Sequence, residues 1–259
     1  MLDEIIKNKR NEILELKKNQ SMELNDVLDK KIESRGFLNK LKKNILDQRV
    51  SIIAEIKRAS PSKGFLDKNL NIVKTAIEYE KSGATCISVL TDQKFFKGSI
   101  DDLINVRNAT NLPILRKDFI LDDSQIIESK LIGADCILLI IAALDKKLFS
   151  RLYDMCIDLN LDVLVEVHNK DELQIALEKN CNMVGINNRN LKTFETSIQT
   201  TIDLIKIINN KDMLIVSESG IFSSTDIDIL KKSGVNTFLI GEMLIKSNNI
   251  SRDLQELLK

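Results

Sequence analysis

The chain has 259 residues, 43% of them hydrophobic and 29% charged, with Lys plus Arg and Asp plus Glu balanced at 38 each. That balance argues against bulk electrostatic binding to nucleic acid or an anionic membrane, so an anionic ligand has to be caught by a local site. No stretch approaches the roughly 20 apolar residues that span a bilayer, and the charged opening MLDEIIKNKRNEILELKKNQ is unlike a signal-peptide core, which points to a cytoplasmic protein.

Residues 1–48 read as helices, Leu2–Lys18 and then Phe37–Asp47 after Arg35–Gly36. A separate domain of that size would be marginal alone, so they are read as an N-terminal extension packed on the rest of the chain. Eight short apolar runs come next: Ser51–Lys57, Thr85–Thr91, Leu112–Lys117, Asp135–Ile140, Asp162–His168, Met183–Asn188, Met213–Glu218 and Thr237–Gly241. They are nearly continuous in apolar character, as parallel strands covered on both faces are. Segments such as Ile72–Lys81 and Leu148–Leu159 between them carry apolar residues at helical spacing. The echoes KSGATCISVL, LIGADCILLI and KKSGVNTFLI place a glycine where a helix must stop before a strand. Alternating β and α leaves an open doubly wound sheet or a closed barrel, and eight strands favour an α/β fold of the (β/α)8 TIM-barrel type, one domain over 1–259.

The four cysteines, Cys86, Cys136, Cys156 and Cys181, lack C-x-x-C spacing and mostly lie in or beside apolar runs. Buried reduced thiols fit better than disulfides or a metal site, and a single histidine, His168, makes a histidine-rich metal centre impossible.

In such barrels the chemistry sits where strands end. The first run ends in Glu55 and Lys57, the third in Arg116–Lys117–Asp118, and the fifth in Glu166 and His168. The sixth ends in Asn187–Asn188–Arg189 and the seventh in Ser217–Glu218–Ser219–Gly220. One charged strand end is ordinarily a solvated group or a salt bridge; five together argue for a site, in which opposite charges must pair because lone buried charges are costly. Glu55 and Lys57, two apart, face the same way. A lysine close to another lysine in a partly desolvated mouth is expected to have its pKa lowered toward the useful range. Ser219–Gly220 and Gly241–Glu242 come after the last two runs as glycine turns before helices, the usual phosphate cradle of this fold, with Glu242 contributing backbone only. Ser60–Pro61–Ser62–Lys63–Gly64 offers hydroxyls and amides to the same ligand. His168 is read as a supporting residue rather than a base, and Cys86 as core rather than a nucleophile. Phe95–Phe96 either lines an aromatic pocket or packs its loop down.

AEIKRASPSKG at 54–64, SVLTDQKFFKGS at 88–99, LPILRKDF at 112–119, GADCILLIIAAL at 133–144, VLVEVHNKDEL at 163–173, GINNRNLKTFE at 185–195, VSESGI at 216–221 and FLIGEML at 238–244 occur in this order. Together they resemble the indole-3-glycerol-phosphate synthase family over nearly the whole chain. The resemblance implies a cytoplasmic, monomeric carboxy-lyase acting on a phosphorylated anilino-sugar, 1-(2-carboxyphenylamino)-1-deoxyribulose 5-phosphate, without metal or organic cofactor and without nucleic-acid or membrane partners. It implies Lys117 as general acid, Lys57 at the substrate carboxylate, Glu166 as proton relay and Glu55 orienting the lysines. Asn187, Arg189, Glu218, Ser219 and Phe96 would hold the substrate, while Ser60, Gly220, Gly241 and Glu242 would hold its phosphate. The N-terminal extension would help cover the barrel mouth. Asp67–Leu70 and Ser124 depart from the family pattern outside the proton-transfer positions. The rivals are a phosphate-binding isomerase barrel, a Schiff-base aldolase using Lys117, and a non-catalytic scaffold. The first would want a cysteine where Lys57 stands.

Overall fold

The computed structural model describes residues 1–19, 32–210 and 212–259; the part of the 1–48 extension at 20–31 lies outside the described residues. The eight runs form eight parallel strands: β1 Ser51–Ile56, β2 Cys86–Leu90, β3 Ile114–Lys117, β4 Cys136–Ile140, β5 Asp162–Val167, β6 Met183–Asn187, β7 Leu214–Glu218 and β8 Thr237–Ile240. Each pairs with the next, and β8 returns to β1 with Ser51 opposite Thr237 and Ile53 opposite Leu239. That last pairing closes the barrel and excludes the open sheet.

The helices named below in chain order are α1 Leu2–Asn19, α2 Phe37–Leu46, α3 Ile72–Lys81, α4 Ile100–Ala109, α5 Asp123–Leu131, α6 Lys146–Asp158 and α7 Gln199–Ile205. Their starts obey local chemistry: Asn71 accepts from the Lys74 amide, Asp122 from Ser124 and Asp145 from Leu148. Asp145 is why α6 begins at Lys146, two residues before the expected Leu148. Gly83 and Gly133, just beyond α3 and α5, take φ of 97° and 87°, the left-handed stops read from the sequence. A two-stranded hairpin, Ala59–Ser60 with Gly64–Phe65, was not expected, because Ser60–Gly64 reads as loop alone.

Strand side chains alternate between two environments. Ile53, Cys86, Leu115, Leu138, Leu164, Met183, Val216 and Leu239 fill the barrel, while Ile52, Ile87, Ile114, Ile137, Val163 and Val184 sit under the helices. All four cysteines are free and buried. Among the described residues no helix is long and apolar enough to cross a membrane.

The family resemblance implied that the extension helps cover the mouth; α1 lies there, and α2 does not. The two described helices of the extension take opposite ends of the barrel. Phe37 and Leu41 of α2 join the inner core. Asp162, at the start of β5, accepts the Leu38 amide, and Asn44 donates to Thr85 just before β2. The α2 helix therefore plugs the end where strands begin. α1 reaches the other end, where Lys9 meets Asp92 and Asp118 just beyond β2 and β3. Apolar periodicity alone does not say which end of the barrel a helix covers.

Phe37 is fully buried. Phe37→Ala is expected to lower stability by about 3–5 kcal/mol, read as a lower urea midpoint. KM stays unchanged, because the plug is far from the strand ends. An unmoved midpoint would contradict the plug.

Candidate active site

The two-residue strand period builds the site. Glu55 stands two residues above Ile53, Lys117 above Leu115, Glu166 above Leu164 and Glu218 above Val216, and all four lower residues belong to the inner core. The charged set therefore faces inward as a layer on an apolar floor. The residues between them face outward. Arg116 pairs with Glu128 of α5 at 2.8 Å, and Asn188 donates to the Ser217 hydroxyl and accepts from Thr201 of α7. Neither belongs to the mouth.

Lys117 lies at the centre. Its Nζ donates to Glu166 Oε2 at 2.7 Å and lies 3.2 Å from Glu218 Oε2. Lys57 pairs with Glu55. Asn187 Nδ2 donates to Glu166 Oε1 at 3.2 Å, and its own Oδ1 accepts the Arg189 amide at 3.0 Å. Arg189 in turn donates to the Phe194 carbonyl, holding the loop after β6. Behind Glu166, His168 Nε2 is 3.2 Å from Oε1 and Nδ1 is 3.0 Å from Glu172.

These contacts set the charge states. Burial by itself would strip the proton from Lys117, but Glu166, Glu218 and Glu55 outweigh it and hold the ammonium above the usual lysine range. This corrects the expectation of a lowered lysine pKa: the nearest neighbours are carboxylates, and Lys57 is turned to Glu55. Burial also opposes ionisation of Glu166, yet Lys117 and His168 prevail and hold it below the ordinary carboxylate range. Burial would deprotonate His168 as well, but Glu166 and Glu172 push it up to about 10. Glu218 differs. Burial, reinforced by the like charges of Glu166 and Glu55, pushes it up to about 7 despite Lys117. Its Oε1 is buried without a hydrogen-bond partner among the described residues.

Two glycines make room for this layer. A Cβ on Gly185 would lie 2.0 Å from Glu218 Oε1, and one on Gly241 2.5 Å from Glu55 Oε1. Real Cβ atoms do not approach so closely, so a side chain at either position would force the facing glutamate carboxylate to shift.

All thirteen expected positions border one cavity above the charged layer: Glu55, Lys57, Ser60, Phe96, Lys117, Glu166, Asn187, Arg189, Glu218, Ser219, Gly220, Gly241 and Glu242. On the β7–β8 side, Ser219 and Gly220 take φ of 64° and 73°, turning the backbone sharply. The Glu242 carboxylate points to Lys246 at 2.7 Å and Lys63 at 3.6 Å. Across the cavity, Phe96 faces Phe119 with ring centroids 6.2 Å apart. Leu2 and Ile5 of α1, with Phe119, Phe194 and Phe222, also line the cavity and escaped the sequence reading. Phe119 was findable, being two residues beyond Lys117. Nothing local marks the α1 residues, whose place depends on how the helix folds back.

A family model described as indole-3-glycerol phosphate synthase matches residues 2–257. An indole-3-glycerol phosphate synthase from Legionella pneumophila (strain Paris) is 44% identical over 260 residues, covering 100% of this chain and 98% of the relative. One from Burkholderia lata is 44% identical over 254 residues, covering 98% of this chain and 97% of the relative. Among solved structures, a thiamine phosphate pyrophosphorylase from Pyrococcus furiosus superposes with a TM-score of 0.59 at 14% identity, covering 85% of this chain and 95% of that one. That likeness concerns the fold alone. A match along the whole length, together with the full-length relatives, makes this chain a member of the indole-3-glycerol phosphate synthase family.

Proposed function

We propose that the cavity binds 1-(2-carboxyphenylamino)-1-deoxyribulose 5-phosphate and that the charged layer beneath it moves the protons of its conversion to indole-3-glycerol phosphate, carbon dioxide and water. The observation that carries this reading is the Lys117 ammonium clamped between Glu166 and Glu218 on the cavity floor. Ring closure joins the aromatic carbon to the ketone carbon, and its oxygen needs a proton as it gains electrons. A lysine kept charged by carboxylates always carries a proton to donate, although the same carboxylates hold that proton more tightly than a free lysine would. Held as an ammonium, it is a poor amine nucleophile, which disfavours the Schiff-base reading.

Giving up that proton changes the neighbours. Once Lys117 is neutral, Glu166 loses the nearer of the two cations that hold its proton affinity down, and its affinity for the proton that leaves carbon during aromatisation rises. Glu218, titrating near 7 and 3.2 Å from Lys117, is placed to return a proton to the lysine. Lys57, paired with Glu55, would meet the substrate carboxylate that departs as carbon dioxide. Phe96 would face the anilino ring, and Asn187 and Arg189 would hold its approach. Ser60, Ser219 and the backbone at Gly220, Gly241 and Glu242 would hold the phosphate. The anilino nitrogen supplies the electrons, so the scheme calls on no metal or organic cofactor.

The same reading takes 1–259 as one domain, supported by the contacts of α1 and α2 with the two barrel ends. It is of a monomeric, cytoplasmic enzyme without nucleic-acid or membrane partners, supported by the balance of 38 basic and 38 acidic residues.

Lys117→Ala is expected to lower kcat by at least about 100-fold, the low end for loss of a general acid. Product fluorescence measures it, and unchanged turnover would defeat the role. A second prediction concerns Glu218. The folded chain binds its proton more tightly than the unfolded chain does, so stability is lost as pH rises from the ordinary carboxylate range through about 7. Glu218→Gln removes that titration. Its thermal midpoint is expected to gain on wild type between about pH 5 and about pH 8. An offset that does not change with pH would contradict the assignment.

A further inference from the structure

Lys9 sits on a helix crowded with charge, LDEIIKNKRNEILELKKN, where a lysine ordinarily reaches water. This one does not. Its side chain is 4% exposed, and its Nζ lies 2.8 Å from Asp118 Oδ1, 3.2 Å from Asp92 Oδ2 and 2.6 Å from Glu12 Oε2. Both aspartates are themselves buried. Burial would lower the Lys9 pKa, but Asp118 and Asp92 outweigh it and hold the group above its usual range. A buried cation shared by two buried carboxylates costs desolvation on all three, and removing it leaves Asp118 with Arg116 at 3.4 Å but Asp92 with only the amides it caps among the described residues.

Each aspartate also holds part of the cavity wall. Asp92 Oδ1 caps the one-turn helix Gln93–Phe96, accepting from the Phe95 amide at 2.7 Å and the Phe96 amide at 3.3 Å. Asp118 is next to Lys117 in the chain; its Oδ1 accepts the Phe119 amide at 2.8 Å, and its Oδ2 accepts the Thr91 hydroxyl. The ammonium thus joins α1 to the two segments that carry the paired rings of Phe96 and Phe119. On α1 itself, Ile5 lies four residues before Lys9, on the same face, and lines the cavity. None of these contacts involves Ser60, Gly220 or Gly241.

We infer that Lys9 is a positioning residue for the ring-binding end of the site, locking α1 and the Phe96–Phe119 wall into one unit around the anilino ring of the substrate. It acts through Asp92 and Asp118 and touches no reacting atom. The inference rests on the proposed reaction, whose substrate supplies the ring.

The test compares wild type, Lys9→Met and Lys9→Arg in steady-state kinetics, in fluorescence titration with indole-3-glycerol phosphate, and in competition by inorganic phosphate. In Lys9→Met, KM and the product Kd are expected to rise about tenfold or more, with kcat within about threefold of wild type. The inhibition constant of inorganic phosphate should stay unchanged, and Lys9→Arg should recover most of the affinity. A merely structural lysine would lower the folded, active fraction and hence kcat, leaving KM and product affinity as they were; that pattern overturns the inference. If Lys9→Met does not accumulate as folded protein, Lys9→Gln takes its place, with the same rise in KM expected and the same unmoved KM counting against the clamp. Failure of the wild type to turn over the anilino-sugar phosphate would remove the reaction and this inference together. Wild-type turnover with an unmoved KM in the variant removes only the clamp.

Discussion

One ammonium group serves two inward-facing glutamates, and the upper half of the barrel is arranged around that shortage of positive charge. Lys117 satisfies Glu166 at 2.7 Å and reaches Glu218 at 3.2 Å, while Lys57 is taken by Glu55. Glu166 has additional support from Asn187 and His168, whereas Glu218 Oε1 has no partner among the described residues. A buried carboxylate without enough donors keeps its proton. The asymmetry therefore divides chemically similar residues into a firm anion and a carboxyl that exchanges near neutrality, the usual route by which one site provides both acid and base.

That arrangement constrains residues with no chemistry of their own. The strand period brings the four charged groups onto one level, and the apolar layer of Ile53, Leu115, Leu164 and Val216 beneath them limits access of water. Gly185 and Gly241 leave room for the glutamate carboxylates, which a Cβ at either position would displace. The N-terminal segment contributes at both ends: α2 fills the lower opening with Phe37 and Leu41, and α1 lays Leu2 and Ile5 against the upper cavity. A mouth with apolar walls and a charged floor strengthens the electrostatics on which proton transfer depends.

Much of this was legible in the chain. Eight apolar runs, five of them ending in charge, marked the strands and the strand ends that carry Glu55, Lys117 and Glu166, and the two-residue period put Glu55 and Lys57 on one side. The left-handed stops at Gly83 and Gly133 gave the helix-to-strand turns. What escaped depends on partners remote in sequence. Lys9 looks like any solvated helix lysine until Asp92 and Asp118, more than eighty residues away, surround it. The expected lowering failed for Lys117 because spacing shows that a second lysine shares the mouth but not that carboxylates lie nearer. Gly185 resembled ordinary strand glycine, since its crowding comes from Glu218 on the neighbouring strand.

Infrared difference spectroscopy of the carboxyl stretch, with wild type and Glu218→Gln titrated from about pH 5 to about pH 9, observes the divided pair directly. A protonated-carboxyl band that disappears as pH passes about 7 in wild type, and is missing from the variant, is the result required by the shared lysine. A wild type whose carboxyl bands all titrate in the ordinary carboxylate range, or a neutral-pH band that survives in Glu218→Gln, would contradict it.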